Sequence, residues 1–254
     1  MFNVLSTRMR QGYRTMKYPD DEAGKKLPAE FAGRPVIDNG RCVAGCRKCA
    51  DICPTDAIAV DASDNTLRLD TGKCVFCRKC EKECSGRALK FSREFKISSF
   101  TREELIVSGN KPAAAAKTRK NIPKSFCRSL KLRQVSAGGC NACEADTNVL
   151  GTLAWDLGRF GVQFVASPRH ADGLLVTGPV TENMRLALLK TYEAVPYPKV
   201  VIAVGACAIS GGIYAGHKEA HGGVDGVLPV DLYVPGCPPH PLVILDAILQ
   251  FLKK

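Results

Sequence analysis

Cysteine spacing constrains this chain more than any other feature of its sequence. The 254 residues include thirteen cysteines, and twelve of them fall into three sets of four. The first set is Cys42-x3-Cys46-x2-Cys49-x3-Cys53, followed by Pro54, and the second is Cys74-x2-Cys77-x2-Cys80-x3-Cys84. The third set is spread along the chain as Cys140, Cys143, Cys207 and Cys237, which leaves only Cys127 over.

The first two sets have the spacing of cubane iron–sulfur ligands. Three cysteines on one short loop wrap three iron corners, and in two-cluster ferredoxins the remote fourth cysteine binds the other cluster. We therefore predict two interlocked [4Fe–4S] clusters, one held by Cys42, Cys46, Cys49 and Cys84 and the other by Cys74, Cys77, Cys80 and Cys53. Zinc is the alternative, but four-cysteine zinc sites usually pair two C-x2-C units across a longer gap.

The two runs also form an internal repeat. Cys46, Cys49 and Cys53 recur with the same spacing further along the chain as Cys77, Cys80 and Cys84. A repeat of this kind is one supersecondary unit used twice, which cannot close its core alone. The first run has one extra residue after its leading cysteine, and we expect Gly45 to absorb it. In the second run, Ser85 stands where a proline normally follows.

Length and composition limit the number of domains and the cellular compartment that can be expected. A chain of 254 residues predicts two domains. Cysteines at metal spacing indicate a reducing compartment rather than disulfides. The N-terminus lacks the apolar core of a signal peptide, and no run approaches eighteen apolar residues, so a cytoplasmic chain without a membrane span is expected.

Basic residues dominate the charge. The formal net charge is +11, and three oxidised clusters of about −2 each would lower it to roughly +5. A stretch without acidic residues carries much of it: Lys111, Lys117, Arg119, Lys120, Lys124, Arg128, Lys131 and Arg133. A solvated linker, an acidic partner subunit and anionic lipid headgroups all suit this stretch. Nucleic acid is not expected as a partner, because no recognisable reader motif accompanies the charge.

The same stretch marks a domain boundary. Residues 109–125 are rich in alanine, proline and lysine and show no periodic pattern. We predict a small α+β ferredoxin-like domain with an N-terminal extension at 1–108, a linker at 109–127 and an α/β domain at 128–254. Downstream, apolar runs alternate with helical segments, which indicates a parallel sheet.

The third cysteine set follows predicted strands of that sheet. Strands are predicted at 131–135, 162–166, 173–177, 200–204 and 232–234, and helices at 146–157, 181–192 and 241–251, with Thr181 as a cap. Cys140 and Cys143 follow the first strand, Cys207 the fourth and Cys237 the fifth. Ligands of open parallel sheets bind at the carboxyl ends of the strands, so these cysteines are predicted to form one site. Packing of individual thiols in the core is the alternative.

Four stretches of the C-terminal half carry a resemblance to a known family: GGCNACEADTNVL, ASPRHADGLLVTGPVTENM, PKVVIAVGACAISGGIY and LPVDLYVPGCPPHP. Residues 128–254 resemble the small, electron-transfer subunit of membrane-linked [NiFe] hydrogenases of the formate-hydrogenlyase type and its counterpart in respiratory complex I. The N-terminal half resembles the ferredoxin-like subunit of complex I through LPAEFAGRPVID and FKISSFTREEL. The chain therefore looks like a fusion of two subunits that are usually separate.

The resemblance implies a flavodoxin-like C-terminal domain whose four cysteines hold the [4Fe–4S] cluster nearest a catalytic large subunit. It also implies an electron-transfer role, with three [4Fe–4S] clusters in series and no complete active site in this chain. Complex I members carry adjacent cysteines where hydrogenases carry C-x2-C, so Cys140-x2-Cys143 favours hydrogenase. Asp146 and Ala142 depart from the usual glutamate and glycine of the family, and we interpret Asp146 as an acid at a helix N-terminus.

The function predicted from these observations is electron relay in a multi-subunit [NiFe] hydrogenase on the inner face of the cytoplasmic membrane. The expected partners are a hydrogenase-type or complex I-type large subunit, further redox and membrane subunits, and a soluble ferredoxin or formate dehydrogenase. The alternative keeps the fold in a complex I-like or sulfur-reducing assembly without nickel. His217 and His221 have the spacing of helical metal ligands, but they lie in a glycine-rich stretch and are expected at the surface.

Overall fold

The computed structural model describes residues 2–18, 27–61, 63, 66–109 and 123–252. Its N-terminal half is built from short elements around the first two cysteine runs. The helices are α1 (Phe2–Gln11), α2 (Lys48–Asp51) and α3 (Lys79–Glu83). The strands are β1 (Pro35–Ile37), β2 (Ile58–Val60), β3 (Leu67–Asp70), β4 (Leu89–Phe91) and β5 (Ile106–Ser108). Strands β1 and β4 form an antiparallel pair, and β2, β3 and β5 form a separate antiparallel sheet.

The sequence repeat is also a structural repeat. Helix α2 is followed by β2, and α3 is followed by β4, with the same offset along the chain as the cysteines. A small core joins the two copies, in which Ile37, Leu69 and Leu89 are packed together with buried thiols of both runs. Neither copy could enclose this core alone, as expected for a repeated unit.

The C-terminal half is a five-stranded parallel sheet. Its strands are β6 (Leu130–Ser136), β7 (Val162–Phe164), β8 (Gly173–Thr177), β9 (Val200–Val204) and β10 (Leu232–Val234). The order β10-β9-β8-β6-β7 is the flavodoxin-like arrangement, in which the chain reverses its direction of progress at the β6–β8 neighbours. Strands β8 and β9 are buried along their whole length, because helices cover both faces of a parallel sheet. The predicted parallel sheet is confirmed.

In the part of the chain that the structure describes, four α-helices accompany this sheet: α4 (Ala142–Val149), α5 (Glu182–Ala194), α6 (Ala206–Ser210) and α7 (Pro241–Leu252). The helix predicted at 146–157 is wrong at both ends, since α4 starts beside Cys143 and the chain turns at Gly151. Asp146 therefore lies inside α4 and not at its N-terminus. Helix α5 does follow Thr181, but no Thr181 side-chain hydrogen bond caps it. Helix α6 was missed, because five residues are too few to show a helical period.

One core spans both halves of the chain. Helix α7 is almost entirely buried, and the cluster around it includes Leu27, Phe95 and Ile97 from the N-terminal half. Ser99 and Tyr233 exchange two backbone hydrogen bonds, which ties the N-terminal half to β10. These contacts hold the two halves in one arrangement. Most of the predicted linker at 109–127, including Lys111, Lys117, Arg119 and Lys120, lies outside the described residues.

The N-terminal segment also crosses onto the C-terminal half. The Met16 N–H donates to the Ala154 carbonyl at 2.7 Å, and the Tyr18 hydroxyl donates to Asp246 Oδ1 at 2.5 Å. Asp246 lies on α7 with 2% of its surface exposed. Burial raises the pKa of its carboxyl to about 6, and the hydrogen bonds from Tyr18 and Gln250 oppose this shift. None of the helices in the described ranges combines the length and apolar character that crossing a bilayer would need.

We expect Asp246 to make stability depend on pH. Its folded-state pKa of about 6 lies above the ordinary value of 3.8, so stability that is present below pH 4 is lost as pH rises through 6. The loss between pH 5 and pH 8 should be roughly 1 kcal/mol in the free energy of unfolding. The Asp246→Asn variant should lack this part of the pH profile, measured by denaturant unfolding. Identical profiles for the two proteins would contradict the prediction.

Candidate metal centres

The first group of thiols surrounds a cavity between the two repeat copies. Cys42 and Cys46 precede α2, Cys49 lies in α2, and Cys84 comes from the end of α3; all four line the cavity. Burial raises the pKa of the Cys49 thiol to about 11, and the next contribution is the charge of Cys84, followed by Cys42 and Cys46. The structure thus places Cys84 with the first run rather than with its own.

The second group mirrors the first. Cys74, Cys77 and Cys80 share a cavity with Cys53, which belongs to the first run. Burial raises the pKa of Cys74 to about 12, and the charges of Cys80, Cys53 and Cys77 add to the shift. The empty space in the two cavities is similar, ≈ 300 Å³ here and ≈ 320 Å³ in the first group. Two equivalent sites related by the repeat follow from this exchange of fourth cysteines.

Backbone N–H groups point at the sulfur atoms of both groups. The Ala57 N–H donates to Cys53 Sγ at 3.3 Å, and the Ala88 N–H donates to Cys84 Sγ at 3.1 Å. These two turns are equivalent in the repeat. Such bonds favour the thiolate over the thiol and hold the sulfur in a fixed direction. The turns therefore hold both sulfur atoms in a way that suits thiolate ligands.

The third group lies at the carboxyl edge of the parallel sheet. Cys140 and Cys143 follow β6 at the start of α4, Cys207 follows β9 on α6, and Cys237 follows β10. Burial raises the pKa of the Cys143 thiol well above its usual range, and the charges of Glu144, Cys207, Cys237 and Cys140 raise it further. Cys140 and Cys237 are exposed, whereas Cys143 and Cys207 are half-buried. The group therefore opens to the surface on one side.

Two glycines make room for these thiols, and the sequence reasoning missed both roles. Gly205 has φ +93°, and a Cβ there would lie 2.6 Å from Cys143 Sγ. Gly212 has φ +54°, and a Cβ there would lie 2.9 Å from Cys207 Sγ. Both conformations favour glycine, and both sites also lack space for a side chain. Neither contact can be predicted from the sequence, because no motif links the glycine with the cysteine that it contacts.

Glu144 was also missed, although it directly follows Cys143. Its side chain is buried, and its Oε1 accepts hydrogen bonds from Ser136 Oγ at 2.5 Å and Thr177 Oγ1 at 2.6 Å. These bonds tie the start of α4 to the ends of β6 and β8, which fixes the direction of the neighbouring Cys143. The nearby Asp146 lines a cavity with Cys237, and burial raises the pKa of its carboxyl.

The donor sets fit iron–sulfur clusters. Each group offers four thiols, and burial with crowding by other thiols raises the pKa values of Cys49, Cys80 and Cys207, among others, to about 11 or 12. A positively charged metal core would lower these pKa values again, because it stabilises the thiolate form and thiol ligands lose their protons on binding. In the described ranges no three His, Cys, Asp or Glu side chains are arranged to hold a single metal ion; the first two groups surround cavities instead.

The remaining candidates stand apart from these groups. His217 and His221 are exposed in a turn-rich segment, and the His221 imidazole contacts the Glu182 carboxylate. Their predicted surface position is confirmed. Cys127 is half-buried and joins none of the three groups.

A family model described as the NADH ubiquinone oxidoreductase 20 Kd subunit matches residues 140–251, which include all four thiols of the third group. A probable membrane-bound hydrogenase subunit mbhJ of Pyrococcus furiosus is 43% identical over 131 residues, covering 52% of this chain and 78% of that protein. The chain belongs to the family of this complex I subunit. The predicted relationship is confirmed for the C-terminal half.

Other members of the same family come from different complexes. Formate hydrogenlyase subunit 7 of Escherichia coli is 43% identical over 51% of this chain and 51% of its own length. NAD(P)H-quinone oxidoreductase subunit K of a Picosynechococcus strain is 47% identical over 46% of this chain and 48% of its own length. Both alignments span about half of each protein. The family and the thirteen cysteines together indicate an iron–sulfur subunit of an oxidoreductase complex.

Proposed function

We propose that this chain relays electrons through three [4Fe–4S] clusters to or from a catalytic large subunit of a membrane-linked [NiFe] hydrogenase. The observation that carries the proposal is the gathering of twelve thiols into three groups of four, two between the repeat copies and one at the sheet edge. A bound cluster supplies one-electron exchange at a potential between about −700 and +450 mV. No other cofactor is needed for this role.

The proposal keeps the division of ligands that the sequence predicts. Cys42, Cys46, Cys49 and Cys84 hold the first cluster, Cys74, Cys77, Cys80 and Cys53 the second, and Cys140, Cys143, Cys207 and Cys237 the third. The backbone donors to Cys53, Cys84 and Cys74 tune the potentials, since hydrogen bonds to sulfur stabilise the more negative state. The interlocked spacing also favours iron over zinc.

The third group suits contact with a partner that exchanges electrons. Two of its thiols are exposed, and the apolar side chain of Ile213 is 60% exposed just beyond the Gly212–Cys207 contact. Exposed apolar surface beside a functional site is typical of protein interfaces. The large subunit is therefore proposed to cover this edge, with a soluble ferredoxin, a formate dehydrogenase or further redox subunits exchanging electrons at the N-terminal half.

The proposed organisation follows from the same groups. A ferredoxin-like domain at 1–108 carries two clusters, a basic linker at 109–127 joins it to the next domain, and the domain at 128–254 carries the cluster beside the large subunit. The complex would bind peripherally to the cytoplasmic face of the membrane through its membrane subunits.

A nickel-free complex is the second candidate. The quinone oxidoreductase subunit is as similar to this chain as the hydrogenase subunits are, at 47% against 43% identity. The C-x2-C spacing of Cys140 and Cys143 favours hydrogenase. This similarity supports a complex I-like quinone oxidoreductase as the alternative. A ferredoxin oxidoreductase or a sulfur-reducing complex without nickel belongs to the same alternative.

Metal analysis of anaerobically prepared protein tests the cluster assignment. We expect about twelve irons and about twelve acid-labile sulfides per chain. A content near eight irons or below, or zinc in their place, would overturn it. Nickel in the large subunit that co-purifies with this chain would support hydrogenase, and its absence from an active complex would favour the second candidate.

A further inference from the structure

Phe76 occupies a backbone position that the repeat otherwise gives to glycine. Gly45 and Phe76 are equivalent residues, each directly before the second cysteine of its run, and both have positive φ, +71° and +53°. A Cβ on Gly45 would meet nothing within 4 Å. A bulky residue in this conformation costs roughly 1–3 kcal/mol, so glycine is the relaxed choice. The phenyl group of the second run must therefore be retained for contacts that the first run lacks.

The contacts of Phe76 join the second thiol group to the C-terminal half. Its backbone N–H donates to Cys74 Sγ at 3.3 Å. Its ring packs edge-to-face on Phe91, which lines the second cavity, with 5.9 Å between ring centroids. Among the described residues, Phe76 is the one partly buried side chain that packs against both the N-terminal core and the core around α7.

Phe76 also shares a cavity with one thiol of the third group. It lines a cavity together with Cys237 and His240, which belong to the segment after β10. The loop that carries Phe76 makes a second contact nearby: Ser210 Oγ, on the helix of Cys207, donates to the Gly72 carbonyl at 3.0 Å. The same short loop is therefore hydrogen-bonded to the helix of Cys207 and shares a cavity with Cys237.

We propose that Phe76 is the positioning residue between the second and third groups, and that its ring, which forms part of the wall of the cavity shared with Cys237, lies on the path of an electron that passes between them. This inference rests on the proposed electron-transfer function. The ring would be neither oxidised nor reduced. An electron that leaves the cluster held by Cys74, Cys77, Cys80 and Cys53 would be gained by the cluster held by Cys140, Cys143, Cys207 and Cys237. Electronic coupling falls steeply with separation and falls faster across empty space than across packed atoms.

The test compares Phe76→Gly, which restores the residue of the first run and keeps the N–H donor to Cys74, with Phe76→Trp, which keeps an aromatic bridge. Freeze-quench paramagnetic resonance after addition of substoichiometric reductant follows electron equilibration between the second and third centres. Phe76→Gly should slow it several-fold and weaken the magnetic interaction between the two reduced centres, whereas Phe76→Trp should stay close to wild type. Phe100→Leu is the matched control, because Phe100 packs in the core around α7 against Phe251 and away from the thiols.

The outcomes separate this inference from the function on which it rests. Fewer than three reducible centres in the wild-type protein would refute the proposed function itself. Three centres in Phe76→Gly with wild-type equilibration and magnetic coupling would refute only the role of Phe76. If Phe76→Gly loses the second centre, Phe76→Leu takes its place, since it keeps apolar volume at the same backbone position. Loss of that centre in Phe76→Leu as well would also overturn the proposal, because Phe76 would then hold the thiols and not bridge them.

Discussion

Replacing Cys53 by serine is expected to remove the second cluster and leave the first in place. Cys53 belongs to the first run, but its thiol lies with Cys74, Cys77 and Cys80. The iron content should fall from about twelve to about eight per chain. The reduced protein should give the spectrum of Cys74→Ser and not that of Cys42→Ser, measured by paramagnetic resonance at matched potentials.

Cys84→Ser is the reciprocal test of the same ligand exchange. Cys84→Ser should match Cys42→Ser, because Cys84 lies with the first run. Cys127→Ser is the control, since this half-buried thiol joins none of the groups and its loss should leave all the iron in place. If Cys53→Ser instead abolished the signal assigned by Cys42→Ser, each run would hold its own cluster and the interlocked arrangement would be wrong.

Replacing Gly205 by alanine is expected to remove the third cluster without changing any ligand. The new methyl group would lie 2.6 Å from Cys143 Sγ, and the thiol cannot move away because Glu144 ties the start of α4 to the sheet. The iron content should fall by about four per chain, as in Cys143→Ser. The signals of the first two clusters should persist, because their ligands lie in the N-terminal half.

Gly216→Ala is a control for the general cost of placing a side chain at positive φ. Gly216 has φ +80°, close to the +93° of Gly205, but a Cβ there would meet nothing within 4 Å. Gly205 also has ψ 154°, outside the left-handed helical region, so Gly205→Ala combines backbone strain with the contact to Cys143. Gly216→Ala carries a cost of about 1–2 kcal/mol from positive φ alone. Gly216→Ala should therefore lose some thermal stability and keep its iron. Equal loss of iron in both variants would show that strain, and not the contact with Cys143, displaces the cluster.

Glu144 also holds the third thiol group in place through its hydrogen bonds. The Ser136 and Thr177 hydroxyl groups both donate to one carboxylate oxygen, so three elements of the sheet edge are fixed at once. A rigid arrangement of this kind is what a site for rapid electron exchange requires, because ligands that move little on reduction cost little reorganisation. The third group is thus held firmly although two of its thiols are exposed.

Short-range spacing explains what could be predicted from the sequence. Ligands on one loop are constrained by the length of that loop, so Cys42 to Cys84 could be assigned to two interlocked groups before any fold was known. The strands β8, β9 and β10 were predicted at their observed positions, because continuous apolar runs bounded by turn residues are typical of buried parallel strands. The carboxyl-end rule then placed Cys140, Cys207 and Cys237 on one edge.

Tertiary structure alone decided the features that join residues far apart in the chain. Gly205 lies against Cys143, and Tyr18 donates a hydrogen bond to Asp246. Phe76 packs against two cores. No local sequence pattern predicts any of these contacts. The end of α4 was decided by its turn at Gly151 rather than by helix propensity. Covalent spacing determines which atoms can share a metal, whereas packing between distant segments determines how rigidly they are held and what lies between them.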